Sequence, residues 1–133
     1  VILLVTFVPN PIVVVAPDHG FTMEVVGESN ITLSPGGNHT FQVVVENAGN
    51  TDIHLQMGLE GIPVGWGASI FLEGSSGADA TNNLAFDLPY QNSTTVLVMV
   101  MVPDSAPLET RTIQLEASSQ DGLSTQNLII NVE

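Results

Sequence analysis

Phe41, Val43 and Val45 alternate with Gln42, Val44 and Glu46, and Ile53, Leu55 and Met57 alternate with His54 and Gln56. Successive side chains of an extended strand point to opposite faces, so each run reads as a strand with one apolar face. Between them lies Asn47-Ala48-Gly49-Asn50-Thr51-Asp52, rich in the Asn and Gly of tight turns. The pattern predicts a half-buried antiparallel pair facing one core. Similar short runs recur along the chain with turn signals between them. They place strands over 21–33, broken near Gly27, over 53–59, 68–72, 83–88, 94–102, 111–118 and 126–132. The run from Phe41 follows a turn over 34–38, and residues 74–79 read as a flexible loop. No stretch shows helical periodicity, so the predicted class is all-β, a sandwich of antiparallel strands. Its expected core is Phe41, Val43, Val45, Val98, Val100, Ile113 and Leu115, with Trp66, in Gly61-Ile62-Pro63-Val64-Gly65-Trp66, buried as a cap.

At 133 residues with 44% hydrophobic residues, the chain can build one core and is too short for two full domains. Its charge is lopsided: Arg111 is the only cation, and fourteen carboxylates bring the formal net charge to −13. Such a surface repels nucleic acid and anionic membranes, so neither is an expected partner. It suits a protein kept soluble in brine or beneath an acidic glycan layer, and equally an ordinary acidic surface. There is no Cys, which excludes disulfides, thiolate metal sites and a Cys nucleophile together.

Three sequons are present, Asn30-Ile31-Thr32, Asn38-His39-Thr40 and Asn92-Ser93-Thr94. The second and third follow turn sequences in which an exposed amide is accessible for N-glycosylation. Asn30, Asn38 and Asn92 are therefore candidate glycan sites, and the expected location is extracellular, at the cell surface.

Ser34-Pro35-Gly36-Gly37 before a strand and Asn47-Ala48-Gly49-Asn50 after it are followed by Gly61-Ile62-Pro63-Val64-Gly65-Trp66. Val102-Pro103-Asp104-Ser105-Ala106-Pro107 then leads into Thr112-Ile113-Gln114-Leu115-Glu116-Ala117. In this order the motifs resemble the immunoglobulin-like domain associated with NPCBM modules, which recurs in archaeal cell-surface proteins, and the related CARDB adhesion domains. The resemblance covers residues 18–133 and implies a noncatalytic extracellular immunoglobulin-like β-sandwich, often in tandem. Two departures stand out: Arg111 occupies a position where the family usually carries an aromatic, and residues 73–82 read as an inserted loop.

Residues 1–17 form a separate unit ahead of the sandwich of residues 18–133. The opening Val1-Ile2-Leu3-Leu4-Val5-Thr6-Phe7-Val8 is apolar but is interrupted by Pro9-Asn10-Pro11, too soon to span a bilayer and without the charged flank of a signal peptide. The missing initiator Met suggests processing or excision from a longer chain. Ile12-Val13-Val14-Val15 precedes the first strand as the last strand of a module would precede the next. The segment is either the tail of a preceding module or a donor strand that enters a neighbouring copy by β-augmentation. Ile2, Leu4, Ile12 and Val14 are its expected contact residues. In Val96-Leu97-Val98-Met99-Val100-Met101-Val102 the alternation turns the valines inward and leaves Leu97, Met99 and Met101 outside, joined by Val44. Large apolar side chains gathered on an outer face mark a contact surface, unless a loop covers them.

Catalytic signals are weak. His19, His39 and His54 lack any paired metal-ligand spacing, and no Gly-x-Ser-x-Gly elbow occurs. One Trp and one Tyr supply little for sugar stacking. No cofactor is expected. Asp18, Asp52, Asp104 and Asp121 fall in turns where calcium could bind at module ends, though without EF-hand spacing. The leading expectation is a noncatalytic subunit of a cell-surface filament or surface layer, joined to copies of itself through the N-terminal strand. The alternative is a carbohydrate- or protein-binding adhesion module of a larger surface protein.

Overall fold

The computed structural model describes residues 16–75 and 82–133. Among the described residues nine strands follow in chain order: β1 (Phe21–Val26), β2 (Asn30–Leu33), β3 (Asn38–Asn47), β4 (Ile53–Glu60), β5 (Gly67–Leu72), β6 (Asn83–Leu88), β7 (Ser93–Met101), β8 (Thr110–Ser118) and β9 (Leu123–Val132). One sheet is antiparallel in the order β1-β3-β7-β5, and the other runs β2-β9-β8-β4-β6. All of its pairings are antiparallel except β2 with β9, which is parallel. The alternation that defined the strands in sequence is the physical reason for the layers. Each strand turns one face toward the other sheet, and those inward residues bury one shared core. Phe41, Val43, Val45, Val96, Val98 and Val100 from one sheet meet Ile53, Leu55, Ile113, Leu115, Leu128 and Ile130 from the other, all fully enclosed.

Three expectations need correction. The first strand of the sequence reading is two strands in different sheets. β1 pairs with β3, and the chain then crosses at Gly27, whose φ of +83° lies in the left-handed region that glycine adopts freely, to lay β2 along β9. This switch closes one side of the sandwich. Next, β3 and β4 are not a hairpin. They lie in opposite sheets, and the 47–52 connection spans the gap of about 10 Å between layers. Their apolar faces do meet, but across the core instead of along a ladder. Finally, Trp66 is half-buried, packed with Ile62 against the rim of the core, because the 61–66 turn carries the chain over the end of the sandwich from β4 to β5. At the Arg111 departure no core contact is formed. The guanidinium is exposed and bonded to Glu109, with Nε to Oε1 at 2.7 Å.

The two ends of the sandwich differ in which chain ends they carry. Residues 16–20, the 47–52 connection, the Pro89-to-Asn92 turn and the β8–β9 turn share one end, here called the amino pole. The 34–37 turn, residues 103–107 and Glu133 share the other, the carboxyl pole.

Replacing Leu115, fully enclosed, with Ala is expected to cost about 2–5 kcal/mol. Trp66→Ala should cost less than the about 3–5 kcal/mol of an enclosed aromatic. Urea denaturation of the two variants side by side checks the ranking, and a Trp66 variant destabilised more than the Leu115 variant would contradict the rim position.

Candidate functional site

Two surfaces stand out, an anchor for residues 16–20 at the amino pole and an apolar outer face on the four-stranded sheet. The anchor is built from the turn that follows β3. Asn47 is the buried polar side chain there. Its Nδ2 donates to the carbonyl oxygens of Thr51 at 2.8 Å and Leu88 at 3.0 Å, and its Oδ1 accepts the Gly49 N–H at 3.0 Å. Against the shaped turn lie residues 16–20. Asp18 N–H donates to Asn50 Oδ1 at 2.7 Å, Asn50 N–H donates to the Asp18 carbonyl at 3.0 Å, and Asn50 Nδ2 reaches the Ala16 carbonyl at 3.1 Å. A Cβ on Gly49 would run into the Asp18 carbonyl oxygen, so only glycine permits this close approach. The β8–β9 turn grips from the other side. His19 N–H donates to Asp121 Oδ2 at 2.8 Å, the His19 ring Nδ1 lies 3.0 Å from the same oxygen, and Ser119 Oγ donates to the His19 carbonyl at 2.7 Å. The His19 backbone N–H, foremost, and then the ring bond hold the Asp121 carboxyl below its ordinary range.

The two outer faces of the sandwich are chemically unlike. Outward positions of the five-stranded sheet include His54, Gln56, Glu60, Asp87, Thr112, Gln114, Glu116, Thr125, Asn127 and Asn131, a mostly polar face on which Leu123 and Ile129, both on β9, are the large apolar side chains. On the four-stranded sheet, Leu97 lies opposite both Gln42 and Phe71, and Met99 lies opposite Thr40 and Ser69. Met101 is half exposed, and Val44, Phe71, Leu97 and Met99 are half-buried. The sequence-expected contact residues Val44, Leu97, Met99 and Met101 thus share one face, and Phe71 extends it, which alternation in the short β5 did not single out. Neither β5 nor β7 contains a charged residue. Ile2, Leu4, Ile12 and Val14 lie outside the described residues.

Asn30, Asn38 and Asn92 are all exposed. Asn38 is opposite Met101 at the carboxyl pole, and Asn92 begins the return into β7 at the amino pole. Asn30 sits at the start of β2 on the polar side, with its Oδ1 accepting from Asn131 Nδ2 at 2.6 Å and its own amide nitrogen turned elsewhere. The four turn candidates for calcium do not meet in one place, although Asp18 and Asp121 both belong to the anchor. Asp18 accepts the Gly20 N–H at 2.8 Å, Asp52 accepts the Tyr90 N–H at 2.7 Å, and Asp121 holds His19. Asp104 lies at the carboxyl pole beside Gly36. Among the described residues no group of three or more His, Asp or Glu side chains is placed so that it could hold a metal ion. The histidines are dispersed: His19 is in the anchor, His39 sets its ring edgewise on Phe41 at 4.6 Å, and exposed His54 lies 2.8 Å from Asp87. No helix among the described residues is long and apolar enough to cross a membrane.

This two-sheet arrangement is an immunoglobulin-like β-sandwich. No family model matches the chain, and no curated protein matches it. Among solved structures it is similar to a family 123 glycoside hydrolase from Clostridium perfringens at 7% identity and a TM-score of 0.63, over 86% of this chain and 27% of that one. The chain therefore spans about a quarter of that enzyme's length. It is also similar to a PapD-like domain of human CEP192, at 14% identity and a TM-score of 0.49, over 97% of this chain and 95% of that one. A CARDB domain from Pyrococcus furiosus, solved with two metal ions, aligns at 14% identity and a TM-score of 0.45, over 88% of this chain and 96% of that one.

Gly49→Ala is expected to free residues 16–20 while leaving the sandwich folded. Amide exchange at Asp18, His19 and Gly20 should accelerate, with core amides of β3 and β8 unchanged. Because the folded Asp121 carboxyl titrates below its unfolded value of 3.8, its contribution is present above that value and lost as pH falls through the lower folded one. The His19 amide of the unaltered protein, which donates to Asp121, should lose protection in that acidic window, and protection there that persists through it would contradict the Asp121 contact.

Proposed function

We propose that the chain is a noncatalytic extracellular structural module, a subunit of a cell-surface filament or surface layer that joins copies of itself through residues 1–17 and the apolar face of the four-stranded sheet. The carrying observation is the contrast between the two outer faces. On a body of net charge −13, an uncharged stripe of Phe71, Leu97, Met99 and Met101 is the part of the surface where another copy can approach without carboxylate repulsion. Residues 1–15 are likewise uncharged and mostly apolar, and the anchor fixes the pole from which they lead. The ordered motifs that resemble the immunoglobulin-like domain of archaeal surface proteins support the same reading. N-linked glycans on Asn38 and Asn92, and on Asn30, would stand at the two poles and on the polar side, leaving the centre of the apolar face open.

Removing residues 1–17 is expected to abolish higher-order particles in sedimentation and electron microscopy while leaving a folded monomer. Leu97→Glu with Met99→Glu should weaken assembly similarly, since each outward position already tolerates partial solvent. Particles unchanged by the deletion, or a full chain that stays monomeric, would remove the assembly reading in favour of an adhesion module within a larger surface protein.

Intact-mass measurement on protein from its native source should show sugar on Asn38 and Asn92. A mass equal to the bare polypeptide would remove the glycan assignment.

A further inference from the structure

A sandwich of two open sheets leaves four edges, and an edge strand carries a row of backbone groups that can take a further strand. Here the edges are β1 and β5 of one sheet and β2 and β6 of the other. Three of them are blunted. β1 presents Glu24 on its outer side and leaves the sheet at Gly27, β2 is only four residues long, and β6 presents Asp87 and runs into Pro89. β5, Gly67-Ala68-Ser69-Ile70-Phe71-Leu72, has neither charge nor proline along its six residues, and the first carboxylate after it, Glu73, lies beyond its end.

The ladder with β7 determines which groups of β5 are open. Glu73 N–H donates to the Thr95 carbonyl at 3.0 Å, and bonded pairs recur at every second residue of an antiparallel ladder. Gly67, Ser69 and Phe71 therefore turn their backbone groups to β7, and Ala68, Ile70 and Leu72 turn theirs away. The Leu72 carbonyl is taken by Ser75 N–H at 3.1 Å. The three N–H groups and the carbonyls of Ala68 and Ile70 face a side on which, among the described residues, no strand pairs.

The two faces at this edge select the strand that fits. Ala68, Ile70 and Leu72 look toward the core, and outward Phe71 joins the stripe of Leu97, Met99 and Met101. A strand laid beside β5 therefore meets apolar surroundings on both faces. Such a position calls for an unbroken apolar run, whereas a strand with one wet face alternates. Val1-Ile2-Leu3-Leu4-Val5-Thr6-Phe7-Val8 is such a run: its odd and even positions are both apolar apart from Thr6, and its eight residues are enough to cover the six of β5. Pro9-Asn10-Pro11 ends it, since proline supplies no N–H to a ladder. Residues 9–15 can span up to about 23 Å ahead of the anchored Ala16.

We propose that residues 1–8 of one copy add as a strand to the open edge of β5 in the next copy and extend its four-stranded sheet to five. The partner is a second copy of this chain, held by backbone hydrogen bonds along Ala68 to Leu72 and by apolar contact on both faces. Neither the run nor β5 carries a charge, so the joint escapes the repulsion between two bodies of net charge −13. This rests on the proposed assembly through residues 1–17 and specifies where that segment lands.

The chain has no cysteine, so introduced ones report a single contact. A Ser69→Cys chain is mixed with chains carrying Ile2→Cys, Leu3→Cys, Leu4→Cys or Val5→Cys, and the assembled particles are mildly oxidised. Ser69 lies on the outer face with its backbone groups turned to β7, the arrangement in which a directly opposite side chain on the added strand comes within disulfide reach. The yield of linked chains is expected to alternate along the scan, several-fold higher at every second position, because side chains of a strand alternate between faces. No linkage at any position, an even yield along the scan, or linkage only between Ser69→Cys chains would overturn the assignment. So would a bond formed only within one chain when a chain carrying both cysteines is diluted with unaltered protein. Ala68→Pro removes an N–H that β7 does not use, which an edge strand tolerates, and should abolish particles while β7 amides keep their exchange protection; the scan reads the contact even where this variant fails to fold. Particles that deletion of residues 1–17 abolishes and a folded Ala68→Pro chain retains would overturn the β5 edge and keep the assembly. Particles that survive the deletion, or none from the full chain, would remove both.

Discussion

The Asn47 amide, buried at the end of β3, organises the amino pole. It is placed where the chain leaves one sheet for the other, and its three hydrogen bonds go to two stretches: the 47–52 connection itself, at Gly49 and Thr51, and the end of β6 at Leu88. A buried polar group with every partner supplied specifies one arrangement, since any shift leaves a donor or acceptor unpaired in a dry site. Its own backbone N–H donates to Asn92, which brings the turn ahead of β7 into the same assembly. By holding Gly49 against the Asp18 carbonyl, it also fixes the course of residues 16–20. The crossing between sheets, the register of β6 and the direction of chain entry thus share one small amide as their support.

Strand positions were legible in the sequence because a sandwich exposes one face of each strand and buries the other, and that demand writes itself as alternation. Val96, Val98 and Val100 against Leu97, Met99 and Met101 is the clearest case, and inward and outward sides follow the reading there. Alternation reports a face and says nothing about a neighbour. Phe41 to Val45 and Ile53 to Met57 do look toward one core, yet their hydrogen-bonding partners are β1 and β7 in one case and β6 and β8 in the other. Partner choice depends on contacts far apart in sequence, such as Asn47 with Leu88. The same limit applies to β5 and β6. They follow each other in the chain, but β5 joins β7 while β6 returns beside β4, so the inserted-looking loop marks a change of sheet. Of the candidate contact set, Val44, Leu97, Met99 and Met101 could be placed because regular strands carry them. The anchor escaped the sequence reading because its members, Asp18, Gly49, Asn50, Ser119 and Asp121, are ordinary turn residues until the fold brings three loops together.

Charge decides which parts of this surface could meet another copy in the proposed assembly. With a single cation, and that one bonded to Glu109, there is almost nothing with which a second acidic module can form complementary ion pairs. At physiological ionic strength exposed charges are screened beyond about 8 Å, so repulsion acts at the close approach a contact requires. In the proposed assembly, association would use apolar burial at places free of carboxylates. β5 and β7 provide such a place in the folded sandwich, and residues 1–15 provide one ahead of it. Glu24 and Glu46, on β1 and β3 of the same sheet, bound the stripe on one side.

The crossing at Gly27 decides how the sandwich is closed. The parallel β2–β9 pair exists only because the chain changes sheet at Gly27. Without that switch β1 and β2 would continue along β3, and β9 would be left as an open edge. The left-handed backbone at one glycine therefore sets which hydrogen bonds stand between the two ends of the chain.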